Sequence, residues 1–455
     1  MAGENDQGAA AGKRKTGHAD TSSTTDTPAA GGPAAEGPGA EGTAADGPAP
    51  APAAGARERL PLAGVRVIDV GTFLAGPYAA CILGEFGAEV LKVEHPIAGD
   101  PMRRFGTATK RHDATLAWLS EARNKKSVTL NLRQPKGVEL FIKLVAKSDV
   151  LIENFRPGTM EEWGLGWPVL HEANPGLVML RVSGYGQTGP YRRRPGFSHI
   201  AHAIGGLSYL AGFPGETPVV PGTAPLGDYI SSLYGAIGIM LALRHKEKTG
   251  RGQIIDIGIC EAVFRQMDEL AAAYGLFGTI REREGSGSFV AVPHGHFRTK
   301  DGKWVAIACT TDKMFERLAE ALERPELASH TLFGPQSKRL AARDEVNKIV
   351  VEWVGSLDRA EVLQRCLDKE VPIGKLNSIA DIFEDEHFKA RRNLAEVESE
   401  GMKVVVPGVV PTLSATPGRI TNLGPPLGDA TYEVMRELLD LSAQDIAALR
   451  QQKTI

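Results

Sequence analysis

Asp228 has the setting that most invites chemistry. It closes the tetrapeptide Pro225-Leu-Gly-Asp228, directly ahead of a long apolar segment. Aspartate is a favoured helix N-cap, and capping alone accounts for a carboxylate at such a place. A carboxylate at a helix N-terminus beside a flexible glycine also suits a nucleophile. Helix amides favour its ionised form, and carboxylates act in covalent catalysis. The local sequence leaves both roles open. Gly184-Tyr-Gly-Gln-Thr-Gly189 fits G-x-G-x-x-G, but a dinucleotide fingerprint needs a helix opening at its last glycine. Pro190 and the run Tyr191–Pro195, with Arg192, Arg193 and Arg194, follow instead. NAD and FAD are therefore not expected. His294-Gly-His296 falls short of a three- or four-ligand metal site and reads as a loop or strand pair. No G-x-S-x-G, Walker A or H-E-x-x-H pattern occurs. Cys81, Cys260, Cys309 and Cys366 are far apart, which argues against zinc and a disulfide framework and suits a reducing cytosol.

The elements that must position these residues alternate. Strands are expected at 65–70, 88–94, 128–132, 149–155, 177–184 and 254–259, with an amphipathic helix over 135–148. Strands spaced by helices imply βαβ units, a parallel sheet and right-handed crossovers. Tyr229 to Leu243 runs 15 residues without a charge. A spanning helix needs roughly 20 apolar residues, so this segment is expected to be a buried core helix. From about Val290 the texture changes to a hairpin turning at Asp301-Gly302. Helices follow over 313–322 and 345–357, then strand-rich sequence near 400 and a closing helix over 430–441.

Composition sets the class. The 455 residues are 42% apolar and 24% charged, ordinary for a globular protein. Four basic and eight acidic residues fall in 1–58, a net of −4, which leaves +1 for the rest. Nothing in that balance draws the chain to nucleic acid or a membrane, so any anion site must be local. From Pro28 to Ala56, 25 of 29 residues are Ala, Gly or Pro. Such sequence cannot offset the entropy of ordering, and order is expected from about Leu60. The Lys13-Arg14-Lys15 triplet is too short to read as a nuclear signal, and the acidic tail lacks the features of a secretory or transit segment.

Several separated stretches resemble the family III CoA-transferases, the formyl-CoA and carnitine CoA-transferase group. They include 62–103, RNKKSVTLNL (123–132), DVLIENFRPGTMEEWGLGW (149–167), 174–197, PLGDYISSLYGAIGIMLAL (225–243), 249–263 and PPLGDATYEVM (425–435). Their order holds from Leu60 to the C-terminus. The resemblance implies a doubly wound α/β domain over 59–287 completed by 389–455, with a smaller α+β domain over 288–388. It also implies an interlocked homodimer in the cytoplasm, without a permanently bound cofactor and with CoA thioesters as substrates. In the family the aspartate corresponding to Asp228 is the nucleophile, carrying first the acyl group and then CoA. Gly285 and Gly287 correspond to a mobile glycine loop over the site. Leu74, Ala75, His95, Leu130, Asn131, Leu132, Arg133, Asn154, Phe155 and Arg156 correspond to CoA contacts, and Lys125 and Lys126 are further candidates for phosphate charge.

Some positions depart from the family pattern. Phe197-Ser198 stands where a tyrosine and an acid are common, Glu162 where an arginine is frequent, and Leu74 where the formyl-CoA enzymes have glutamine. The resemblance leans toward the branch that moves CoA from succinyl-CoA to small dicarboxylates, with Arg192–Arg194 as an acceptor attractant or a plain exposed loop. An α-methylacyl-CoA racemase of the same fold is the alternative enzyme. It needs a histidine opposite the aspartate, however, and His199 is displaced from that place. A non-catalytic CoA-binding protein is the remaining reading.

Overall fold

The computed structural model describes residues 60–222 and 225–455; the expectations for residues 1–58 lie outside them. Six strands, β1 (Arg66–Asp69), β2 (Glu89–Glu94), β3 (Lys125–Thr129), β4 (Val150–Glu153), β5 (Val178–Ser183) and β6 (Ile254–Gly258), form one sheet. All pairs are parallel and the order is β3-β2-β1-β4-β5-β6. Alternation along each strand feeds two cores. Ile68, Leu91, Val128, Leu151 and Met179 face one core, which the helix Pro135–Ala146 and the C-terminal helices cover. Val67, Val90, Val150, Val178, Leu180 and Val182 face the other, under the helices Pro77–Glu85 and Leu226–Thr249. Covering both faces is what makes short, nearly continuous apolar strands stable as a parallel sheet. The expected doubly wound α/β class is what the chain adopts.

Three expectations need correction. The third strand begins at Lys125, three residues before the apolar run at 128–132. Lys125 can sit in a buried strand because its ammonium pairs with Asp69 at 2.9 Å and donates to the Pro77 carbonyl at 2.7 Å. The long helix spans 24 residues and is half in the core. Ser231, Ser232, Gly235, Ala236 and Ile239 are buried, while Leu233, Ile237, Met240 and Leu241 face outward. By length and composition it could cross a membrane, yet its inner face is embedded in the sheet core. At the C-terminus a helix over Thr431–Glu433 passes into a π turn at Val434–Leu438, and a further helix, Ala443–Gln451, follows it.

Strands β7 (His294–Arg298), β8 (Trp304–Ala308) and β9 (Ile373–Lys375) form an antiparallel sheet with its own apolar core, which includes Phe315, Val350 and Val362. The expected turn at Asp301-Gly302 joins β7 to β8, with Gly302 at φ 77°. A hairpin, β10 (Leu394–Ser399) with β11 (Met402–Pro407), packs by Val406 against Trp118 and its neighbours. The chain then returns to β3. The Ser127 N–H donates to Asp429 Oδ1 at 2.8 Å and the Thr129 N–H to Thr431 Oγ1 at 2.9 Å, so side chains seal this edge strand.

Candidate functional site

The strand order reverses between β1 and β4, and open parallel sheets bind ligands beyond the carboxyl ends of their strands at such a point. A cavity of about 420 Å³ lies there. Val70, Gly71 and Thr72 after β1, His95 after β2, and Leu130 to Arg133 after β3 wall it, and Phe155 and Trp163 close it. Six expected contact residues thus converge on one cleft: His95, Leu130, Asn131, Leu132, Arg133 and Phe155. The His95 Nδ1 accepts the Ile97 and Ala98 N–H groups, each at 3.2 Å, which fixes the ring. Burial and then the neighbouring Arg133 charge hold its pKa below the usual histidine value, so the ring is an uncharged plane at neutral pH. Arg133 is exposed at the rim and pairs with no carboxylate among the described residues. The loop that carries it is fixed by Asn131, whose N–H donates to the Thr454 carbonyl at 2.8 Å and whose Oδ1 accepts the Arg133 N–H at 3.1 Å.

The cavity floor is a buried charge lattice. Lys92 reaches Asp100 at 2.9 Å and Asp69 at 3.6 Å, and Arg103 pairs with Glu94 at 2.7 Å. Burial pushes the Lys92 ammonium down, but the surrounding carboxylates outweigh it and its pKa ends above the ordinary value. These charges satisfy one another. Lys125 belongs to this lattice, and Lys126 pairs with Glu89 and Glu433 at 3.0 and 2.7 Å, so neither lysine is free for a phosphate.

Four expected contacts lie outside the cavity wall. Asn154 instead braces the loop after β1: its Nδ2 donates to the Thr72 and Ala75 carbonyls, both at 2.6 Å, and its Oδ1 accepts the Thr72 N–H at 2.8 Å. Leu74 and Ala75 are buried in that loop. The loop is tied to the long helix by Ser232, whose Oγ donates to the Leu74 carbonyl at 3.3 Å and accepts the Gly76 N–H at 3.0 Å. Arg156 and Glu162 are exposed and away from the wall. Asn154, Leu74 and Ala75 therefore connect the cleft to the Asp228 helix.

Asp228 is not the N-cap. Pro225 holds that position and Asp228 is the third helical residue, half-buried and making no capping bond. The Asp228 and Tyr229 N–H groups both return to the Pro225 carbonyl, at 3.0 and 3.3 Å. The Gly227 N–H goes to Ser198 Oγ at 3.0 Å and His202 Nε2 at 2.9 Å. Those three amides are spent, and among the described residues no donor or cation pairs with the Asp228 carboxylate. The expectation that helix amides keep it fully charged is therefore reversed: burial pushes it up from 3.8 to about 7. Tyr229 stacks edge-on with Tyr78 at 4.9 Å, and burial raises the Tyr78 hydroxyl to about 12, so both phenols stay protonated beside it.

The proposed glycine loop lies elsewhere among the described contacts. The Gly285 N–H donates to the Gly212 carbonyl at 3.0 Å, the Gly287 N–H to the Glu284 carbonyl at 3.0 Å, and Ser286 Oγ accepts the His296 N–H at 3.1 Å. No described hydrogen bond links it to Asp228. Gly184–Gly189 passes into turns and not a helix, with the Gln187 N–H held by Asp256. His294 and His296 lie on β7, and no metal-binding cluster occurs among the described residues. Arg192 to Arg194 are exposed, with Arg194 over the Tyr191 ring at 3.6 Å. Ser198 and His202 escaped notice in the sequence. Their signal was the i, i+4 spacing on one helix face, with Ser198 noted only as a departure.

A doubly wound parallel sheet binds its ligands beyond the carboxyl ends of its strands, and the cleft there presents an uncharged ring, His95, and an arginine without a carboxylate partner among the described residues, Arg133. The sequence model of CoA-transferase family III matches residues 62–431, and the chain belongs to that family. It is 77% identical over 409 residues to the alpha subunit of succinyl-CoA–L-malate CoA-transferase from Chloroflexus aurantiacus, covering 90% of this chain and 95% of that one. The beta subunit from the same species is 59% identical over 404 residues, covering 88% and 100%. A solved CAIB/BAIF family protein from Brucella suis superposes with a TM-score of 0.74 at 30% identity, covering 83% of this chain and 99% of that one. The enzyme is a CoA-transferase, and its relatives carry the names of the succinyl-CoA and dicarboxylate branch that its sequence resembles.

Proposed function

We propose that the enzyme moves CoA from succinyl-CoA to a small dicarboxylate of the malate type, with Asp228 as the covalent carrier. The observation that carries this reading is the Asp228 carboxylate itself. It is half-buried without a partner among the described residues, on a helix tied through Ser232 to the loop that walls the cleft. The cleft takes the nucleotide end of CoA, with His95 against the base and Arg133 on a phosphate. At about 420 Å³ it suits part of such a ligand and not the whole.

The chemistry balances without a cofactor or net proton. Asp228 attacks the thioester carbon, the C–S bond breaks, and CoA leaves as thiolate with a mixed anhydride on the enzyme. The thiolate attacks the Asp228 carbonyl carbon, which releases succinate and leaves an aspartyl-CoA thioester. The acceptor carboxylate attacks that thioester and expels thiolate, which then takes the acceptor acyl group and frees Asp228. Activation stays in acyl bonds throughout. Each oxyanion needs donors, and with the amides of 227–229 engaged these come from outside the first helical turn; the Gly285–Gly287 loop fills that role once its amides leave the Gly212 and Glu284 carbonyls. Succinyl-CoA is added, the protein is quenched with hydroxylamine or borohydride, and peptides are mapped by mass spectrometry. Modification at Asp228 is the expected result; unmodified Asp228 during turnover overturns the reading. A panel of dicarboxylate acceptors then ranks substrates.

We take as one apolar surface the outward face of the long helix, with Leu241, and the helix Leu270–Phe277, none of whose residues is buried and which exposes Tyr274, Leu276 and Phe277. A second copy of this chain covers it in the cytoplasmic homodimer we propose. The alpha and beta naming of the relatives makes a related second chain the competing occupant.

A further inference from the structure

We propose that Ser198 and His202 are positioning residues for Asp228, which they hold by gripping the amide of Gly227. The inference rests on Asp228 being the nucleophile. A helix exposes four N–H groups at its start, and a side chain at the N-cap normally takes one or two. Pro225 has no side-chain acceptor, so the long helix borrows its cap from the short helix Ser198–Ile204. The Gly227 N–H points between Ser198 Oγ at 3.0 Å and His202 Nε2 at 2.9 Å, and these two atoms are 3.2 Å apart. A Cβ on Gly227 would meet Ser198 Oγ and Ile259 Cγ2 at 3.0 Å. The glycine backbone is therefore seated directly on this pair, and the next residue is Asp228.

The tautomer follows from the geometry. Because Nε2 accepts the Gly227 amide proton, the ring proton is assigned to Nδ1. That atom is buried and has no hydrogen-bond partner among the described residues. Leaving a buried donor unpaired is costly, and an apolar residue in its place would avoid that cost. Here the imidazole fixes the one peptide unit that sets the direction of Asp228. His199, the other histidine of this helix near the glycine step, is exposed and contributes nothing to the grip.

The test compares Ser198→Ala, His202→Ala and His202→Gln in the full chain, following the rate at which succinyl-CoA acylates Asp228, kcat, KM for succinyl-CoA and the thermal melt. A misdirected nucleophile loses rate steeply with small displacements, so His202→Ala is expected to slow acylation about tenfold or more. KM for succinyl-CoA should hold, because the nucleotide cleft is built by other elements. His202→Gln, which returns an acceptor oxygen, should recover most of the loss. A merely structural role would lower the melt and leave the acylation rate per folded molecule unchanged, which overturns the proposal. So does a loss confined to KM, or a glutamine variant no faster than alanine. If His202→Ala fails to fold, Ser198→Ala and His202→Gln decide by the same criteria. Absence of the Asp228 adduct in the unmodified enzyme defeats the nucleophile reading instead, and is seen before any variant is made.

Discussion

At the scale of single residues, a carboxylate removed from water without a counter-charge prefers to be neutral. The Asp228 pKa rises from 3.8 to about 7. The folded chain then binds that proton more tightly than the unfolded one. Its contribution to stability is full at acid pH, falls as pH climbs above 3.8 and is gone above about 7. Asp228→Asn should therefore melt higher than the parent enzyme, by a margin that widens from about pH 5 to about pH 8. A constant margin in scanning calorimetry counts against a buried, unpaired carboxylate. Acylation of Asp228 should rise with pH and level off above about 7, since only the ionised form attacks. At the cleft, Arg133→Ala should raise KM for succinyl-CoA about tenfold, the worth of one charge-assisted hydrogen bond, with kcat little changed in steady-state assays. Six of the ten positions that the family resemblance named line the cleft, because they lie at strand ends, while Asp228 stood out only as a carboxylate ahead of a long apolar segment. The asparagine at 154 was legible as a position but not as a brace, since its role depends on carbonyls some 80 residues away.

At the scale of elements, the loop after β3 owes its shape to a glycine. A Cβ on Gly137, at the start of the helix Pro135–Ala146, would lie 2.0 Å from the Asn131 carbonyl oxygen. Backbone cannot yield as a flexible side chain does, so Gly137→Ala should cost about 1–3 kcal/mol and widen the cleft. Urea unfolding checks the first effect, and weakened CoA binding in calorimetric titration the second. The sequence displayed all six parallel strands, because apolar runs reveal themselves. It misplaced the start of β3, because a strand whose lysine is neutralised by Asp69 looks like a polar turn until its partner is known. The outer side of the long helix was hidden for the opposite reason. Leu233 and Leu241 are more apolar than the inward Ser231, Ser232 and Gly235, and periodicity cannot distinguish a core from an unoccupied interface.

At the scale of the whole molecule, that uncovered apolar surface is the dominant physical fact. Large exposed patches on a lone chain mark contact sites. Phe277→Glu, with a charge where a 79% exposed ring now stands, should shift the enzyme toward monomers in sedimentation equilibrium. An unchanged association state would move the interface elsewhere. A chain that pairs only after a beta-type subunit is added would make the assembly mixed.

The seal on the sheet edge has a consequence for biosynthesis. Strand β3 and the cleft loop are made early, but the groups that cover them, Asp429, Thr431 and the carbonyl of Thr454, come some 300 residues later. Until translation reaches them, a nascent chain carries an open β edge that can pair with strangers, and its cleft is unfinished. Ribosome-bound intermediates of this enzyme should depend on chaperones, and should acquire affinity for CoA only at the last step of synthesis.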